Sequence, residues 1–203
     1  VSYGPLGCTH TTMHDFASMR ALPYLTILAP CDAVQTEYLT DLLCQFTGPV
    51  YMRMGRGDVP PVYEAGEKFE IGKIKTVCEG TDATIIACGE MVAPAKKAAE
   101  LLQAEGISVR VLDCFTIQPM DTKTVEKALR ETRAVVTVEE HSTRGGLGEA
   151  VSHIAAELRG SAPMRLLGLP EEVVIGKSQE LFAYYGLTPE AISAAIKERL
   201  EHE

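Results

Sequence analysis

The sequence predicts an α/β protein in which a short, incomplete α/β unit precedes a larger, doubly wound domain with a mainly parallel sheet. Apolar strand-like runs alternate with helical runs over most of the chain, which is the pattern of a parallel sheet with crossover helices. Runs such as residues 134–138 are almost continuously apolar, without an alternation of apolar and charged residues. That pattern is typical of strands that are covered on both faces.

The first section, residues 1–57, predicts a strand–helix–strand unit. Residues 12–21 have helical spacing, residues 23–30 form a short apolar run between prolines, and Asp32 is placed to cap the helix that follows. Residues 50–54 form the next strand, and we expect a right-handed parallel crossover between the two strands. Because so few elements leave both sheet faces and edges open, we expect preceding sequence or another chain to supply a partner surface.

Residues 58–72, with adjacent prolines and a glycine, predict a linker with little regular structure. Residues 73–203 then predict the doubly wound domain, whose last helix has Thr188 as its cap and Pro189 in its first turn. Its first predicted strand ends near residue 77, and its further predicted strands cover residues 83–88, 109–112, 134–138 and 164–168. Its other predicted helices cover residues 93–105, 121–132 and 147–159.

Composition limits the classes of function. The chain has 203 residues, of which 46% are hydrophobic and 23% are charged, so we expect a packed core rather than disorder. A formal net charge of −9 argues against a nucleic-acid surface but leaves room for a local basic pocket. We find no secretory signal and no run of membrane-spanning length, and therefore expect a cytoplasmic protein without membrane contact. The chain begins with Val1 in the middle of a motif, so we expect a piece of a larger protein.

Cysteine and histidine spacing predicts neither disulfides nor a metal site. The six cysteines form no C-x-x-C pair and several lie in apolar runs, which favours buried, reduced thiols. His10 and His14 have the spacing of a helical metal pair. We expect no metal there, because no third ligand is evident and His10 precedes the helix.

Three side chains are candidates for chemistry. His10 follows a glycine-bearing loop, where an imidazole can transfer protons; the alternative is a histidine that only caps the next helix. Arg53 and Arg56 follow a predicted strand. A guanidinium binds phosphate through two parallel hydrogen bonds, whereas the alternative is a pair of solvated surface charges.

Four motifs together resemble the transketolase family, and the resemblance covers almost the whole chain. They are the Gly-x-Thr-His motif at residues 7–10, the Arg-x-Leu-Pro run within residues 20–32, the Arg-x-x-Arg-Gly element at residues 53–57, and the Glu-x-His and Gly-Gly-Leu-Gly loop at residues 139–148. The first section resembles the latter part of the family's pyrimidine-binding domain. The rest resembles its C-terminal domain, which also occurs in the beta subunits of 2-oxoacid dehydrogenases. A relative of those subunits, or of the deoxyxylulose-phosphate synthases, which share the Gly-x-Thr-His motif, is the alternative enzyme.

The resemblance implies an enzyme that uses thiamine diphosphate and Mg²⁺ to move a two-carbon ketol unit between sugar phosphates. It implies that His10 assists proton transfer and that Arg56 holds a substrate phosphate. Arg53 belongs to the same element at the substrate, and for this residue we favour a structural role. The glycine loop would pack closely against a helix and a neighbouring subunit, and the role of His141 stays open. A flavodoxin-like nucleotide site at Gly145 is a further alternative.

The chain departs from the family pattern at Leu6, where the family usually has an acidic residue that recognises a sugar hydroxyl; Tyr3 or a group outside the chain would have to compensate. The metal- and diphosphate-binding domain and the family's catalytic glutamate are not in this sequence. The resemblance therefore implies a section that is inactive alone and needs an N-terminal section or subunit, in a homodimer or a heterotetramer, with a split transketolase favoured. A non-catalytic association module is the alternative from another functional class.

Overall fold

The computed structural model describes Val1 and residues 4–201, without the side chain of Cys8. The suggestion that Tyr3 compensates for Leu6 therefore lies outside the described residues. A short 3₁₀ segment, Gly4–Thr9, opens the described chain. It is followed by α1 (Asp15–Arg20), β1 (Thr26–Leu28), α2 (Ala33–Leu43) and β2 (Val50–Met52).

The C-terminal section contains a five-stranded sheet in the order β3-β5-β4-β7-β8, in which only β3 is antiparallel to its neighbour. One face packs against α3 and α7 and the other against α4 and α5, which confirms the doubly wound class. The strands are β3 (Lys75–Cys78), β4 (Ala83–Ala87), β5 (Val109–Asp113), β6 (Thr116–Gln118), β7 (Ala134–Ser142) and β8 (Met164–Leu169). The helices are α3 (Val92–Ala104), α4 (Thr122–Glu131), α5 (Leu147–Glu157), α6 (Ser178–Tyr184) and α7 (Pro189–Glu201).

The predicted helix caps are present. The Asp32 carboxylate accepts a hydrogen bond from the Gln35 amide at 2.8 Å, and the Thr188 hydroxyl accepts one from the Ala191 amide at 3.3 Å. The first helix begins only at Asp15 rather than at residue 12. No helix within the described ranges is long and apolar enough to cross a membrane.

The sequence prediction missed β6, and this strand changes the view of the first section. Thr116–Gln118 pairs antiparallel with β1, which in turn pairs parallel with β2. Ile27 of β1 and Ile117 of β6 are both buried. The expectation that only preceding sequence or another chain would cover the first section was therefore wrong for this edge, because the C-terminal section itself supplies the strand. A run of three residues is too short for a periodic pattern to reveal it.

Residues 58–72 contain no helix or strand, and they are fixed to both sections. Asp32 accepts a hydrogen bond from the Tyr63 amide at 2.9 Å. The ring of Phe69 lies edge-on to that of Tyr63, with centroids 4.9 Å apart, and to that of Phe115 in the C-terminal section at 5.7 Å. The segment therefore acts as a packed connection rather than a flexible spacer.

Most of the cysteines with described side chains are buried thiols. Cys31, Cys88 and Cys114 are buried, and burial raises the pKa of each thiol. Cys78 is half-buried, while Cys44 is exposed directly after α2. For Cys44 the prediction of burial was wrong, because the end of this helix faces away from the core.

The glycine loop after β7 is a junction between the two sections. The Arg20 guanidinium, at the end of α1, donates hydrogen bonds to the carbonyl oxygens of Gly145 at 2.6 Å and Gly146 at 3.0 Å. A Cβ atom on Gly145 would lie 2.9 Å from the Ala17 Cα atom, and the Gly145 φ angle is +74°. Glycine is thus required here both by the backbone conformation and by the approach of α1.

Asp113, at the end of β5, is a buried carboxyl group that connects three segments of the chain. Its Oδ2 atom accepts hydrogen bonds from the Gln35 amide group at 2.7 Å and from the Tyr63 hydroxyl at 2.8 Å. Its Oδ1 atom is buried and has no hydrogen-bond partner among the residues that the structure describes. Burial outweighs these hydrogen bonds and raises the pKa of Asp113 from 3.8 to about 7.

We predict that Gly145→Ala destabilises the protein by roughly 1–3 kcal/mol more than Gly160→Ala does, because the added methyl group must displace α1. Gly160 is the matched control, since its φ angle is +71° and a Cβ atom there would meet nothing within 4 Å. Urea unfolding of both variants measures the difference. Equal losses would mean that backbone strain alone, and not packing against α1, requires glycine at position 145.

We predict that Asp113→Asn weakens the pH dependence of stability between about pH 4 and about pH 7. A carboxyl group whose pKa is raised in the folded state favours folding when protonated, so its stabilising contribution is lost as pH rises through this range. Urea unfolding of both proteins at about pH 4.5 and about pH 7.5 measures the change. An unchanged difference between the two pH values would exclude Asp113 as a titrating group in this range.

Candidate functional site

A cavity of about 200 Å³ lies where the C-terminal sheet meets the first section. On the sheet side it is bordered by residues that follow β4 and by the last part of β7. After β4 the chain continues to β5 on one side of this strand, and it later returns as β7 on the other side. Ligands commonly bind at such switch points of α/β sheets. The cavity is lined by Val1, His10, Thr11, Thr12, Pro30, Arg53, Met54, Gly55, Arg56, Gly89, Glu90 and Glu140.

The structure brings together the three site residues that the sequence singled out. His10 comes from the turn before α1, whereas Arg53 and Arg56 come from the segment after β2. All three line this one cavity. A proton-transfer group and guanidinium groups therefore share one site, although the chain separates them by more than 40 residues.

The hydrogen bonds of the Thr9 hydroxyl favour a proton on Nδ1 of His10. The Thr9 hydroxyl donates its only proton to the Leu6 carbonyl oxygen at 2.9 Å. The same hydroxyl oxygen lies 3.0 Å from His10 Nδ1, so it accepts a hydrogen bond from Nδ1–H. In the neutral ring the lone pair is then on Nε2, and this nitrogen is the one suited to accept a proton.

Arg53 is held by contacts within the protein. Its Nη1 atom donates to the Glu140 carbonyl oxygen at 3.0 Å and lies 3.4 Å from Asp15 Oδ1, and its guanidinium lies 3.9 Å from the centre of the Phe16 ring. The Tyr51 hydroxyl donates to the other Asp15 oxygen at 2.8 Å. Arg53 thus ties β2, α1 and β7 together at the wall of the cavity.

Arg56 is exposed on the segment after β2 and lines the cavity beside Gly55. A Cβ atom on Gly55 would lie 2.9 Å from Glu90 Cγ and closer still to its carboxylate. The glycine therefore lets the Glu90 side chain lie directly against the backbone next to Arg56.

Sequence reasoning missed two acidic residues of the cavity, Glu90 and Glu140. Glu90 follows β4 in the 3₁₀ turn Gly89–Met91, and Glu140 lies on β7, which extends to Ser142 rather than ending at residue 138. With two glutamates and two arginines on its wall, the cavity offers hydrogen-bond acceptors as well as positive charge. The available signal was positional, because both glutamates come at the carboxyl ends of neighbouring parallel strands.

His141 lies behind the cavity as a neutral packing residue. The ring is buried, its Nδ1–H donates to the Ser142 carbonyl oxygen at 2.6 Å, and its Nε2 atom accepts from the Ala17 amide at 3.3 Å. Burial lowers the pKa of His141, and its ring stacks on Phe16 with centroids 5.0 Å apart. The residue connects the end of β7 to α1.

The alternative nucleotide site at Gly145 would place a phosphate at the amino end of α5. This end of the helix is occupied by Glu139. The Leu147 and Gly148 amides donate to the two oxygens of this buried carboxylate, each at 2.7 Å. Burial outweighs these bonds and raises the pKa of Glu139 to about 7. Because an internal carboxylate already accepts these amides, the loop is suited to packing rather than to nucleotide binding.

Leu6 and His14 have no direct place in this site. Leu6 is exposed in the 3₁₀ segment and is not one of the described residues that line the cavity. His14 precedes the first residue of α1 and His10 lies in a turn, so the two do not form a pair on a helix. Within Val1 and residues 4–201, with the Cys8 side chain left aside, no three histidine, cysteine, aspartate or glutamate side chains are grouped to hold an ion.

The cavity is smaller than most small-molecule sites, which measure roughly 300–1,000 Å³. A neighbouring cavity of about 460 Å³ shares Pro30, Met54, Gly55 and Glu90 with it. Together they form an extended groove, and Glu90 stands at the boundary between its two parts.

Known proteins match both sections. Residues 1–61 match the family described as "Transketolase, pyrimidine binding domain", and residues 72–192 match the one described as "Transketolase, C-terminal domain". One subunit of an apulose-4-phosphate transketolase from Phocaeicola vulgatus is 47% identical over 194 residues, which cover 95% of this chain and 62% of that protein. "Transketolase" from Rattus norvegicus is 36% identical over 200 residues, which cover 97% of this chain and 32% of that protein.

A solved structure supports the same family. A structure described as "Split gene transketolase, inactive beta4 tetramer" has 39% sequence identity and a TM-score of 0.87, covering 95% of this chain and 62% of that one. The chain thus spans about 62% of the length of the Phocaeicola vulgatus and split-gene relatives. With both sections matched in the same order, the chain belongs to the transketolase family.

Proposed function

We propose that this chain is the C-terminal section of a cytoplasmic, thiamine-diphosphate-dependent transketolase that transfers a two-carbon ketol unit between sugar phosphates. The observation that carries the proposal is the cavity shared by His10, Arg53 and Arg56. In this protein, residues 1–57 form the latter part of the pyrimidine-binding domain, residues 58–72 the connection and residues 73–203 the C-terminal domain. The chain is inactive until an N-terminal section or subunit completes it.

The cofactor is assigned mainly to that other section, because by the family resemblance the metal- and diphosphate-binding domain lies outside this sequence. When bound, thiamine diphosphate supplies a nucleophilic carbon and an electron sink. The role proposed for this chain is to bind and orient the sugar and to move a proton on it.

Each site residue has a distinct proposed role. His10, with the lone pair on Nε2, accepts or returns a proton at a substrate oxygen. Arg56 binds the substrate phosphate through its planar guanidinium. Arg53 acts mainly by fixing the cavity wall, since it already contacts Asp15 and the Glu140 carbonyl oxygen.

The names of the relatives support a split assembly. The Phocaeicola vulgatus relative is named as one subunit of a transketolase, and one solved structure as an inactive β4 tetramer of a split-gene transketolase. We propose by analogy that this chain pairs with an N-terminal subunit, as a heterotetramer or, in a single-chain parent, as a homodimer. Expression with the N-terminal partner, followed by an assay of thiamine-diphosphate-dependent ketol transfer, tests this proposal directly.

An association module without catalysis is the second candidate. Within the described chain β2 pairs only with β1, so its outer edge has no strand partner there. An incomplete sheet of this kind favours assembly with further polypeptide. The two candidates differ in whether His10 matters for turnover.

We predict that His10→Ala lowers kcat of the completed enzyme by about a hundredfold to ten-thousandfold, since general acid–base groups contribute on this scale. Assembly, measured by size-exclusion chromatography with light scattering, should not change. His153→Ala is the control, because the His153 side chain is 78% exposed on α5, away from the cavity. Full turnover in His10→Ala would remove this residue from the mechanism and favour the association module.

We predict that Arg56→Lys raises KM for phosphorylated acceptors by roughly ten- to a hundredfold, because an ammonium cannot reproduce the paired hydrogen bonds to phosphate. KM for the corresponding unphosphorylated aldoses should change little. Arg144→Lys is the matched control, since the Arg144 side chain is 81% exposed and contacts Glu171. Equal effects on both classes of acceptor would exclude a specific phosphate contact.

A further inference from the structure

We propose that Glu90 determines substrate specificity by accepting a hydrogen bond from a sugar hydroxyl, in a site that has an apolar residue at position 6. This assignment rests on the proposed transketolase function and deepens it. It moves hydroxyl recognition from the loop around Leu6 to the C-terminal sheet, at the end of β4.

The position of Glu90 is set by the fold. The residue lies in the turn Gly89–Met91 between β4 and α3, at the switch point of the sheet. Gly89, with a φ angle of +55°, allows the chain to turn there, and its backbone lies against that of Ala29 and Pro30 in the first section. The neighbouring Met91 is buried among α3 and the central strands. The backbone that carries Glu90 is therefore anchored on both sides.

The side chain of Glu90 is also confined. It packs against the backbone at Gly55, where there is no room for a larger residue, and the residue as a whole is half-buried. A carboxylate that is fixed before the ligand arrives loses little conformational entropy on binding. Its fixed position in the cavity that Arg56 also lines suits a ligand that carries both a phosphate and a hydroxyl.

The charges around the cavity give Glu90 a different task from the arginines. An ionised carboxylate only accepts hydrogen bonds, and a sugar hydroxyl can donate one. A phosphate dianion is repelled by the same carboxylate and attracted by Arg56, so the two groups define the direction in which a sugar phosphate lies. Leu6 has no polar side-chain atom and does not line the cavity.

The test compares two acceptors in the enzyme assembled with its N-terminal section. One is a phosphorylated 2-hydroxyaldehyde, and the other is its 2-deoxy analogue. We expect the unmodified enzyme to prefer the hydroxylated acceptor in kcat/KM. Glu90→Leu should reduce this preference by roughly ten- to a hundredfold, mainly through KM of the hydroxylated acceptor, because a hydrogen bond to a charged group contributes on this scale. Glu90→Gln, which keeps the shape, should retain part of the preference.

Matched variants separate this role from a general effect. Glu157→Leu removes a glutamate whose side chain is 74% exposed on α5 and should leave the preference unchanged. Arg56→Lys should weaken both phosphorylated acceptors alike. Isothermal titration of the two acceptors provides a readout without turnover, and urea unfolding shows whether each variant is folded.

Several results would overturn the assignment. The first is that the unmodified enzyme does not distinguish the two acceptors in kinetics or titration. The second is that a folded Glu90→Leu variant keeps the full preference. The third is that Glu140→Gln, rather than Glu90→Leu, removes the preference. Failure of the proposed function is a separate outcome, because it requires that the unmodified assembly transfers no ketol unit at all. In that case titration with the two acceptors would still test Glu90.

Discussion

The contacts of Arg53 are the interaction on which the site depends. Its guanidinium lies against Phe16 of α1 and donates to the Glu140 carbonyl oxygen on β7, while its own backbone continues from β2. Asp15 keeps the charge paired, and Tyr51 holds Asp15 in turn, with the result that the pKa of the tyrosine is raised to about 12 by burial and by this carboxylate. A permanently charged, planar group can satisfy all these partners at once, which a lysine could not do.

The site is therefore a product of the junction and not of either section alone. His10 and Arg56 come from the first section, and Glu90 and Glu140 come from neighbouring strand ends of the C-terminal sheet. The pairing of β6 with β1 and the contact of Arg20 with the glycine loop fix the two sections against each other. Without these contacts, the cationic and the acidic walls of the cavity would have no defined separation.

Much of this arrangement was predictable from the sequence, and the remainder was not, for physical reasons. The alternation of apolar strand-like and helical runs predicted the doubly wound domain, and residue types at helix starts predicted the Asp32 and Thr188 caps. The family resemblance pointed to His10, Arg53 and Arg56. The strand β6 was missed because three residues carry no period, and β7 was predicted four residues too short because Glu139 and His141 are polar but buried. Glu90 was missed because nothing local distinguishes it; only the strand order brings it to the cavity.

The buried polar residues explain why the proposed anion site does not lie at the amino end of α5. The amino end of α5 would ordinarily attract a phosphate, but Glu139 accepts two of its amides. Arg20 binds the carbonyl oxygens of the same loop, and Arg53 is paired with Asp15. These internal contacts use the groups behind the cavity to hold the two sections together. The cavity wall itself carries an exposed arginine beside a confined glutamate, a pair that matches the two ends of a hydroxylated phosphate ester.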